Sequence, residues 1–262
     1  DKVVLIVNSS NAMELDREIV VNNDKIQSVI FAPGAGQNGF DAIGKILSGA
    51  VTPSGRLTDT FAADFTQDPT WQNFGNNNIG VYLSDTAGNQ YTLDDGTPYK
   101  NNFENGVFGV EYEEGVYVGY KYYETRGFTD GDAWYDAAVN YPFGYGLSYT
   151  EFEWMVGEAR MDTPTLTPET KISVDVTVTN TGMYAGKDVV QLYCTTPYTQ
   201  FDRDYDIEKP TVVLLQFEKT GPIAPGEYED VEITVPWEAM ASYCSTRRNG
   251  DGTAGCYVLE EG

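Results

Sequence analysis

The chain has 262 residues, a length that allows one large domain or two domains of ordinary size. Hydrophobic residues make up 41% of it and charged residues 21%, which is the composition of a folded globular protein. Its 40 acidic and 16 basic residues give a formal charge of −24, which excludes nucleic acids and anionic membrane surfaces as expected partners. Residues 1–150 and 151–262 each carry 20 acidic and 8 basic residues, so the charge is dispersed over the chain.

The sequence contains no histidine. Histidine is the side chain most used as a base near neutral pH and the most common metal ligand. A Ser-His-Asp or Cys-His catalytic site therefore cannot be built from this chain alone, and no cofactor is predicted.

Three cysteines are too few and too scattered for a zinc cluster or a disulfide framework; they are Cys194, Cys244 and Cys256. Cys244 and Cys256 could pair across the Gly-rich stretch between them, but free thiols are the preferred interpretation. No apolar run approaches the ~20 residues of a membrane span, and the first residues lack the pattern of a signal peptide, so neither feature is predicted.

Residues 1–62 alternate between strand-like and helix-like patterns. Residues 3–7 and 26–32 are continuous apolar runs, typical of strands that are covered on both faces. A tight loop over 33–39 leads into a short amphipathic helix, which Gly49 and Pro53 end. The apolar face of this helix comprises Phe40, Ile43, Ile46 and Leu47. The alternation predicts an α/β layer with a mainly parallel sheet.

Residues 63–110 are rich in Asn, Asp, Gly and Thr and predict a long polar loop. Ordered structure is expected to return over 113–124, a stretch that contains four tyrosines: Tyr117, Tyr120, Tyr122 and Tyr123. With Val116 and Val118 beside them, these tyrosines predict a core strand whose hydroxyls reach the surface. A stacking platform for sugar rings is the alternative.

After residue 150 apolar and polar residues alternate strictly, over 172–179 and again over 230–235. Together with 188–193 and 212–217, and with a turn at Asn180-Thr-Gly182, these segments predict an antiparallel β-sandwich. The predicted fold class is thus a partial α/β sandwich layer over 1–150, followed by an all-β sandwich over 151–262. One further strand is expected after residue 262, and the chain begins inside an apparent core strand, so both ends are expected to be cut.

The glycines of residues 34–39 fit a dinucleotide-binding fingerprint. Gly34, Gly36 and Gly39 match G-x-G-x-x-G between a predicted strand and helix, and Asp59 follows about 20 residues later. Against this interpretation, Pro33 takes the chain out of the strand early, and no further βαβ units follow. Tight packing of the helix against the strand is therefore preferred, with dinucleotide binding by Gly34–Gly39 as an alternative.

Two acidic stretches are candidates for carboxylate catalysis: Glu14 and Asp16 beside Arg17, and Glu113 with Glu114. Glycoside hydrolysis requires two carboxyl groups roughly 5–5.5 Å or 6.5–9.5 Å apart, a separation that sequence spacing does not reveal. A helix surface or a strand edge explains each stretch without chemistry. No catalytic residue is therefore predicted from these patterns.

Five stretches of the chain resemble, in order, the C-terminal portion of glycoside hydrolase family 3, which includes β-glucosidases and β-xylosidases. Residues 3–15 are similar to the family's strand and Asn-Ser-x-x-x-Met-Glu-Leu segment. Residues 33–61 are similar to its Pro-Gly…Gly loop, helix and Pro-Ser-Gly-Arg-Leu strand entry, and 114–123 and 141–149 to the two blocks that close its sandwich domain. Residues 153–262 resemble the fibronectin type III-like domain that follows in many members.

The resemblance implies that the chain is a fragment of a retaining hydrolase of terminal, non-reducing β-linked sugars. In the family the nucleophile is an Asp on a (β/α)8 barrel, and the acid/base Glu precedes the strand that begins here at Val3. Both groups are therefore expected outside this chain, which alone is expected to be inactive, and Glu14 matches the Met-Glu-Leu motif instead. The implied partners are a β-linked glycoside or oligosaccharide and the missing barrel domain.

The chain departs from the family at three positions. Asn38 and Phe40 stand where relatives often carry Glu and Gly, and Lys121 replaces a common Arg and so loses the guanidinium fork. The alternative function is a non-catalytic carbohydrate-binding or scaffolding module, in which the loop at 63–110 meets the sugar.

Overall fold

A computed structural model describes most of the chain. The described residues are 2–71, 114–165, 167, 169–250 and 252–260. The predicted polar loop lies outside the described residues from position 72 onward, and so does Glu113. Within the described ranges, no helix has the length and apolar character needed to cross a membrane. We call residues 1–150 the first segment and 151–262 the second segment; this boundary stays a prediction.

The described residues of the first segment contain a parallel strand pair, three α-helices and an antiparallel strand pair. Its elements are β1 (Val3–Val7), β2 (Ile26–Phe31), α1 (Gly36–Leu47), β3 (Phe61–Ala62), α2 (Tyr120–Asp130), α3 (Asp132–Ala138) and β4 (Val139–Tyr141). The parallel pairing predicted for 1–62 is confirmed for β1 and β2, which a π-helical turn at Arg17–Val21 connects.

The parallel prediction is wrong for β3, which pairs antiparallel with β4. Phe61 explains this placement, because its ring is 2% exposed and packs edge-on against Phe31 at 5.2 Å between centroids. Ring packing thus holds β3 against the end of β2. The backbone of β3 forms its hydrogen bonds with β4, the strand that follows α3.

The predicted amphipathic helix is confirmed as α1, but it begins at Gly36, inside the loop predicted over 33–39. Gly34 and Gly36 have φ of +58° and +61°, a left-handed conformation that glycine adopts without strain, and Gly36 already opens the helix. Ile43 is buried, whereas Phe40 and Leu47 on the same predicted face are 47% and 50% exposed.

The tyrosine-rich stretch forms a helix from Tyr120 onward, which corrects the core strand predicted over 113–124. Gly119 has φ of +56°, which breaks an extended chain immediately before α2. Tyr123 is 2% exposed and stacks on Trp134 of α3 at 6.3 Å, and the Arg126 guanidinium lies 4.5 Å from the Trp134 ring. Ring packing between two helices therefore overrides the strand propensity of Tyr and Val.

The second segment is built from antiparallel strands, as predicted. Its elements are β5 (Phe152–Val156), β6 (Arg160–Met161), β7 (Lys171–Asn180), β8 (Val189–Thr195), α4 (Gln200–Tyr205), β9 (Val212–Lys219), β10 (Tyr228–Pro236), β11 (Ser242–Arg248) and β12 (Ala254–Val258). β7 pairs with β10, β5 and β6; β8 pairs with β9, and β11 with β12.

Alternating residues of β7 and β10 form the core of the second segment. Val176 lies opposite Val231 on the inner face, and the hydroxyls of Ser173 and Thr234 hydrogen-bond at 2.7 Å on the outer face. Burial of each valine contributes about 2 kcal/mol. The buried cluster comprises Val174, Val176, Val178, Val190, Ile223, Val231, Ile233 and Val235.

Asn180 ends β7 with a fully buried side chain. Its amide donates to the carbonyls of Tyr184 at 2.7 Å and Ile223 at 2.8 Å. Its side-chain oxygen accepts from the Thr150 hydroxyl at 2.7 Å and from the Gly182 backbone N–H at 3.0 Å. All four hydrogen-bonding positions of the amide are therefore used, and they fix the predicted turn at 180–182.

We expect Asn180→Ala to lower the free energy of unfolding by about 2–4 kcal/mol, because it leaves buried hydroxyl and carbonyl groups without a partner. Urea denaturation measures the loss. Asn249→Ala is the matched control, since this exposed amide bonds Thr253 and Gly255 at the β11–β12 turn; a loss under about 1 kcal/mol is expected. Equal losses in the two variants would contradict the assigned role of Asn180.

Candidate functional site

Arg56 and Asp188 form an ion pair between the first and second segments. The Arg56 guanidinium donates to an Asp188 carboxylate oxygen at 2.5 Å and also to the carbonyl of Gly146. Asp188 is 3% exposed, and it accepts from the Trp154 indole N–H at 2.9 Å and the Val189 backbone N–H at 2.8 Å. Both oxygens of this buried carboxylate are therefore satisfied, which is the condition for keeping a charge in the interior.

Backbone groups at the start of β9 bind hydroxyls of α2. The N–H of Leu214 donates to the Tyr120 hydroxyl at 2.9 Å, and the N–H of Thr211 donates to the Thr125 hydroxyl at 2.9 Å. These bonds place α2 against the sheet that contains β8 and β9.

An open cleft of about 420 Å³ lies where the two segments meet. We call it the junction cleft. It is lined by Tyr120, Glu124, Pro142, Phe143, Gly144, Tyr145, Gln191, Tyr193 and Val212. Its walls thus come from α2, the loop after β4, strand β8 and the first residue of β9.

Aromatic rings form most of the apolar surface of the cleft. Tyr120 stacks on Phe143 at 4.6 Å with 29° between the rings, and Tyr193 meets Tyr120 edge-on at 6.4 Å. Tyr145 stacks on Tyr141 at 5.5 Å and keeps 38% of its surface exposed. An exposed ring beside fixed polar groups is suited to contact a small ligand with an apolar face.

Glu124 and Gln191 supply the polar groups of the cleft. Glu124 Oε1 accepts from the Tyr135 hydroxyl at 2.5 Å, and Gln191 Oε1 accepts from the Tyr193 hydroxyl at 2.8 Å. Gly144 has φ of +78°, and a Cβ there would lie 2.5 Å from Gln191 Oε1, so glycine alone permits this approach. Glu124 Oε2 and Gln191 Nε2 have no hydrogen-bond partner among the residues that the structure describes.

The hydroxyls of Tyr193, in the cleft, and Tyr135, behind it, remain protonated near neutral pH. Burial is the main cause that raises the pKa of Tyr193 to about 12, with additions from Tyr120 and Glu124. Burial, followed by the hydrogen bond to Glu124, also raises the pKa of Tyr135. Both hydroxyls therefore act as hydrogen-bond donors.

The acidic stretch at 14–17 holds the first segment together and does not line the cleft. Glu14 accepts from the backbone N–H of Phe65 at 2.8 Å, and Asp16 accepts from a backbone N–H of the π-helical turn at 2.8 Å. Arg17 donates to the side chain of Asn140 at 2.6 Å. Glu114, from the second acidic stretch, is buried at 8% exposure.

Asp59 lies beside the start of α2. Its carboxylate accepts from the Thr60 backbone N–H at 3.0 Å and lies next to Gly119. Burial, opposed by the Thr60 hydrogen bond and reinforced by Asp68, raises the pKa of Asp59. Because the turn into α1 already accounts for Gly34 and Gly36, no feature of this region calls for a dinucleotide.

One of the four candidate tyrosines, Tyr120, reaches the junction cleft. Tyr117 donates to Glu208 at 2.6 Å, Tyr122 accepts from Arg126 at 2.9 Å, and Tyr123 donates to Asp68 at 3.0 Å. These three hydroxyls are used in separate structural contacts, so the four rings do not form a common stacking platform. No group of three or more potential metal ligands clusters anywhere in the described ranges.

The sequence patterns did not single out Glu124, Gln191 or Tyr193 as site residues. A usable signal was present in β8, where residues two positions apart share a face and so place Gln191 beside Tyr193. The approach of β8 to Gly144 depends on tertiary packing and leaves no pattern along the chain.

Comparison with known proteins identifies the domains. Residues 1–120 match the family model described as the Glycosyl hydrolase family 3 C-terminal domain. The chain contains a glycosyl hydrolase family 3 C-terminal domain. Residues 188–262 match the Fibronectin type III-like domain. The family resemblance that the sequence motifs suggested is thereby confirmed.

Several relatives of this family 3 chain are named beta-glucosidases, and one from Bifidobacterium longum is named exo-alpha-(1->6)-L-arabinopyranosidase. Beta-glucosidase A of Butyrivibrio fibrisolvens is 33% identical over 270 residues, which cover 99% of this chain and 27% of that protein. The structure of a beta-glucosidase from Paenibacillus barengoltzii has a TM-score of 0.71 and 32% identity, covering 100% of this chain and 23% of that one. Beta-glucosidase 3B from Thermotoga neapolitana, solved with α-D-glucose, has a TM-score of 0.64 and 29% identity over 92% of this chain and 27% of that one. The chain thus spans about a quarter of the length of the relatives it matches.

The raised pKa of Tyr193 makes stability depend on pH above neutrality. A tyrosine titrates near 10 in the unfolded chain, so the folded chain with a pKa of about 12 holds this proton more tightly. Its contribution is complete below about pH 10 and is lost as the pH rises through about 12. We expect Tyr193→Phe to lose less stability between pH 10 and 12 than the parent chain, measured by denaturant unfolding at several pH values.

Tyr228→Phe serves as the control for this titration, because Tyr228 is 63% exposed and lies outside the cleft. Identical pH dependence in both variants would contradict the effect of burial on Tyr193.

Proposed function

We propose that this chain is the C-terminal part of a retaining, β-glucosidase-like glycoside hydrolase that cleaves terminal, non-reducing β-linked sugars. The observation that carries the proposal is the match along the whole chain: the similarity to a protein named beta-glucosidase covers 99% of it. The mechanism expected of the full-length enzyme is a double displacement through a covalent glycosyl-enzyme intermediate.

The chemistry of the junction cleft supports a location of the catalytic pair outside this chain. Retaining hydrolysis requires two carboxyl groups roughly 5–5.5 Å apart. Glu124 is the one carboxylate that lines the cleft in the described part of the chain, and the Tyr135 hydroxyl already occupies one of its oxygens. The proposal therefore keeps both catalytic groups outside this chain, with the nucleophile Asp on the barrel and the acid/base Glu before the strand that begins at Val3.

The proposed role of this chain is to form one wall of the catalytic region and to brace the assembly. Contacts between the two segments support the bracing role. Besides the Arg56–Asp188 ion pair, Lys219 of β9 donates to the carbonyl of Ser54 at 2.9 Å, within the Pro-Ser-Gly-Arg-Leu motif. Such contacts join the two segments to each other.

The isolated chain is expected to release no nitrophenol from aryl β-glucosides or β-xylosides, because it carries neither catalytic carboxylate. A spectrophotometric assay against a boiled sample of the same chain measures this. Turnover above the boiled control would place the catalytic pair within these 262 residues and so contradict the assignment.

A chimera tests whether the chain serves a β-glucosidase. We expect hydrolysis of aryl β-glucosides to persist when this chain replaces the matching 270-residue region of Beta-glucosidase A, and to be abolished when that region is deleted. A chimera that unfolds cooperatively on heating, and so is folded, but shows no hydrolysis would contradict the proposed function.

Carbohydrate binding at the junction cleft is a second candidate function. The observation that favours it is the exposed ring of Tyr145 within reach of Glu124 and Gln191, since pyranose rings pack an apolar face on aromatic rings while their hydroxyls bind polar groups. This site replaces the loop at 63–110 as the proposed sugar contact.

Titration of the isolated chain with cello- or xylo-oligosaccharides is expected to show saturable binding without hydrolysis. Tyr145→Ala is expected to weaken binding about fivefold, the effect of about 1 kcal/mol from one ring contact. Tyr149→Ala is the control, because this 45% exposed tyrosine bonds the Ile46 carbonyl outside the cleft. Equal affinities for the two variants would exclude the cleft as the binding site.

A further inference from the structure

Two of the three cysteines lie directly opposite each other in the β11–β12 hairpin. Cys244 of β11 is paired in register with Cys256 of β12, and both are free thiols. Directly opposed residues of an antiparallel pair have Cα atoms about 4.5–5.5 Å apart and side chains on the same face. A disulfide needs Cα atoms about 4.4–6.8 Å apart, so the backbone already meets this requirement.

The neighbouring pair shows that the register extends to the side chains. Tyr243 lies opposite Tyr257, and their rings touch at 5.4 Å between centroids. Side chains alternate between faces along a strand, so the two cysteines share the opposite face from these rings. The turn is held by hydrogen bonds within it, including Asn249 N–H to the Thr253 carbonyl at 2.9 Å.

The two thiols differ in their access to solvent. Cys256 is partly exposed, whereas Cys244 is fully buried. The Thr246 hydroxyl, 3.5 Å from the Cys244 sulfur, is the main cause that lowers the pKa of Cys244. This arrangement provides one thiol that a dissolved oxidant reaches and one that reacts only with its neighbour.

We propose that Cys244 and Cys256 are a dithiol that a small disulfide oxidant, such as oxidised glutathione, closes into an intramolecular disulfide across the hairpin. The Cys256 thiolate attacks the glutathione disulfide, forms a mixed disulfide and releases one glutathione thiolate, which takes up a proton. The Cys244 thiolate then attacks the Cys256 sulfur and releases the second glutathione. The two cysteines lose two protons and two electrons in total, and one oxidised glutathione becomes two reduced ones.

The end of the hairpin supplies a carboxylate, that of Glu260, to a buried ion-pair cluster in the second segment. Glu260, two residues after β12, forms an ion pair with Lys209 and accepts from the Thr199 hydroxyl. Lys209 is 7% exposed and also pairs with the fully buried Asp202 at 2.6 Å. A disulfide at Cys244 would therefore tie down the strand that supplies one of the two carboxylates around this buried ammonium.

Oxidised glutathione added to the folded chain tests the proposal. We expect a mass decrease of about 2 Da from the loss of two hydrogens, one remaining cysteine that alkylates, at position 194, and a peptide map that joins 244 to 256. The thermal midpoint is expected to rise by about 5 °C, because the bridge closes a loop and so lowers the conformational entropy of the unfolded chain. Dithiothreitol is expected to reverse both changes.

Single substitutions separate the two steps. In Cys244→Ser the resolving thiol is absent, so we expect glutathione to stay attached to Cys256; in Cys256→Ser we expect neither a bridge nor an adduct at position 244. Cys194→Ser is the matched control and is expected to form the bridge as the parent chain does, since Cys194 lies opposite Val213 in β8–β9. Cys244→Ala replaces Cys244→Ser if the buried hydroxyl prevents folding.

Three results would overturn the proposal. They are alkylation of both Cys244 and Cys256 in the parent chain after oxidation, a bridge that includes Cys194, and a thermal midpoint that falls on oxidation. The last would mean that the hairpin must distort in order to close.

Discussion

The buried ion pair between Arg56 and Asp188 determines how the parts of this molecule are arranged. Removing one partner of such a pair costs about 3–5 kcal/mol, because the other charge is left in the interior without compensation. Arg56 also binds the Gly146 carbonyl, and Asp188 immediately precedes β8. The Arg56 guanidinium therefore bonds both to the loop after β4 and to the residue that precedes β8, the strand of Gln191. That loop and that strand form two of the walls of the junction cleft, so this one side chain holds the two walls together.

The large negative charge gives importance to the cations that pair with buried carboxylates. The chain has 16 basic residues against 40 acidic ones, so most carboxylates have no cation to pair with and are solvated. Arg56 and Lys209 are exceptions: each lies against a carboxylate that is almost fully buried, Asp188 and Asp202. The net charge alone indicates which partners are excluded, whereas the placement of these two cations shows how the fold is held together. If Arg56 and Lys209 also lay on the surface, the charges of the chain would not show how the fold is held together.

The alternation of apolar and polar residues predicted those strands whose burial follows directly from their own sequence. The two-residue period of β7 and β10 predicted both strands and their inner faces, since a strand with one buried face must alternate. The tyrosine stretch misled the same reasoning, because Val116 and Val118 favour a strand while Gly119 and the stacking of Tyr123 on Trp134 produce a helix. The cleft could not be predicted from sequence at all, because Glu124 and Gln191 are brought together by the contact between segments. The family resemblance, in contrast, depended on motif order and was independent of these errors.

Contacts connect the β11–β12 hairpin to the tyrosine stretch. Glu260 pairs with Lys209, and the Lys209 carbonyl accepts from the Tyr117 hydroxyl at 3.2 Å, three residues before α2 begins. A buried ammonium strongly resists the loss of a carboxylate partner, so a hairpin held in place also holds the backbone at 209. Loosening the hairpin would act first on Lys209 and Tyr117 and only then on Tyr120 in the cleft. The Arg56–Asp188 pair would remain, because none of its partners lies in the hairpin. The oxidation state of the two thiols therefore bears on the stability of the second segment and on its contact with Tyr117, while the Arg56–Asp188 pair is independent of it.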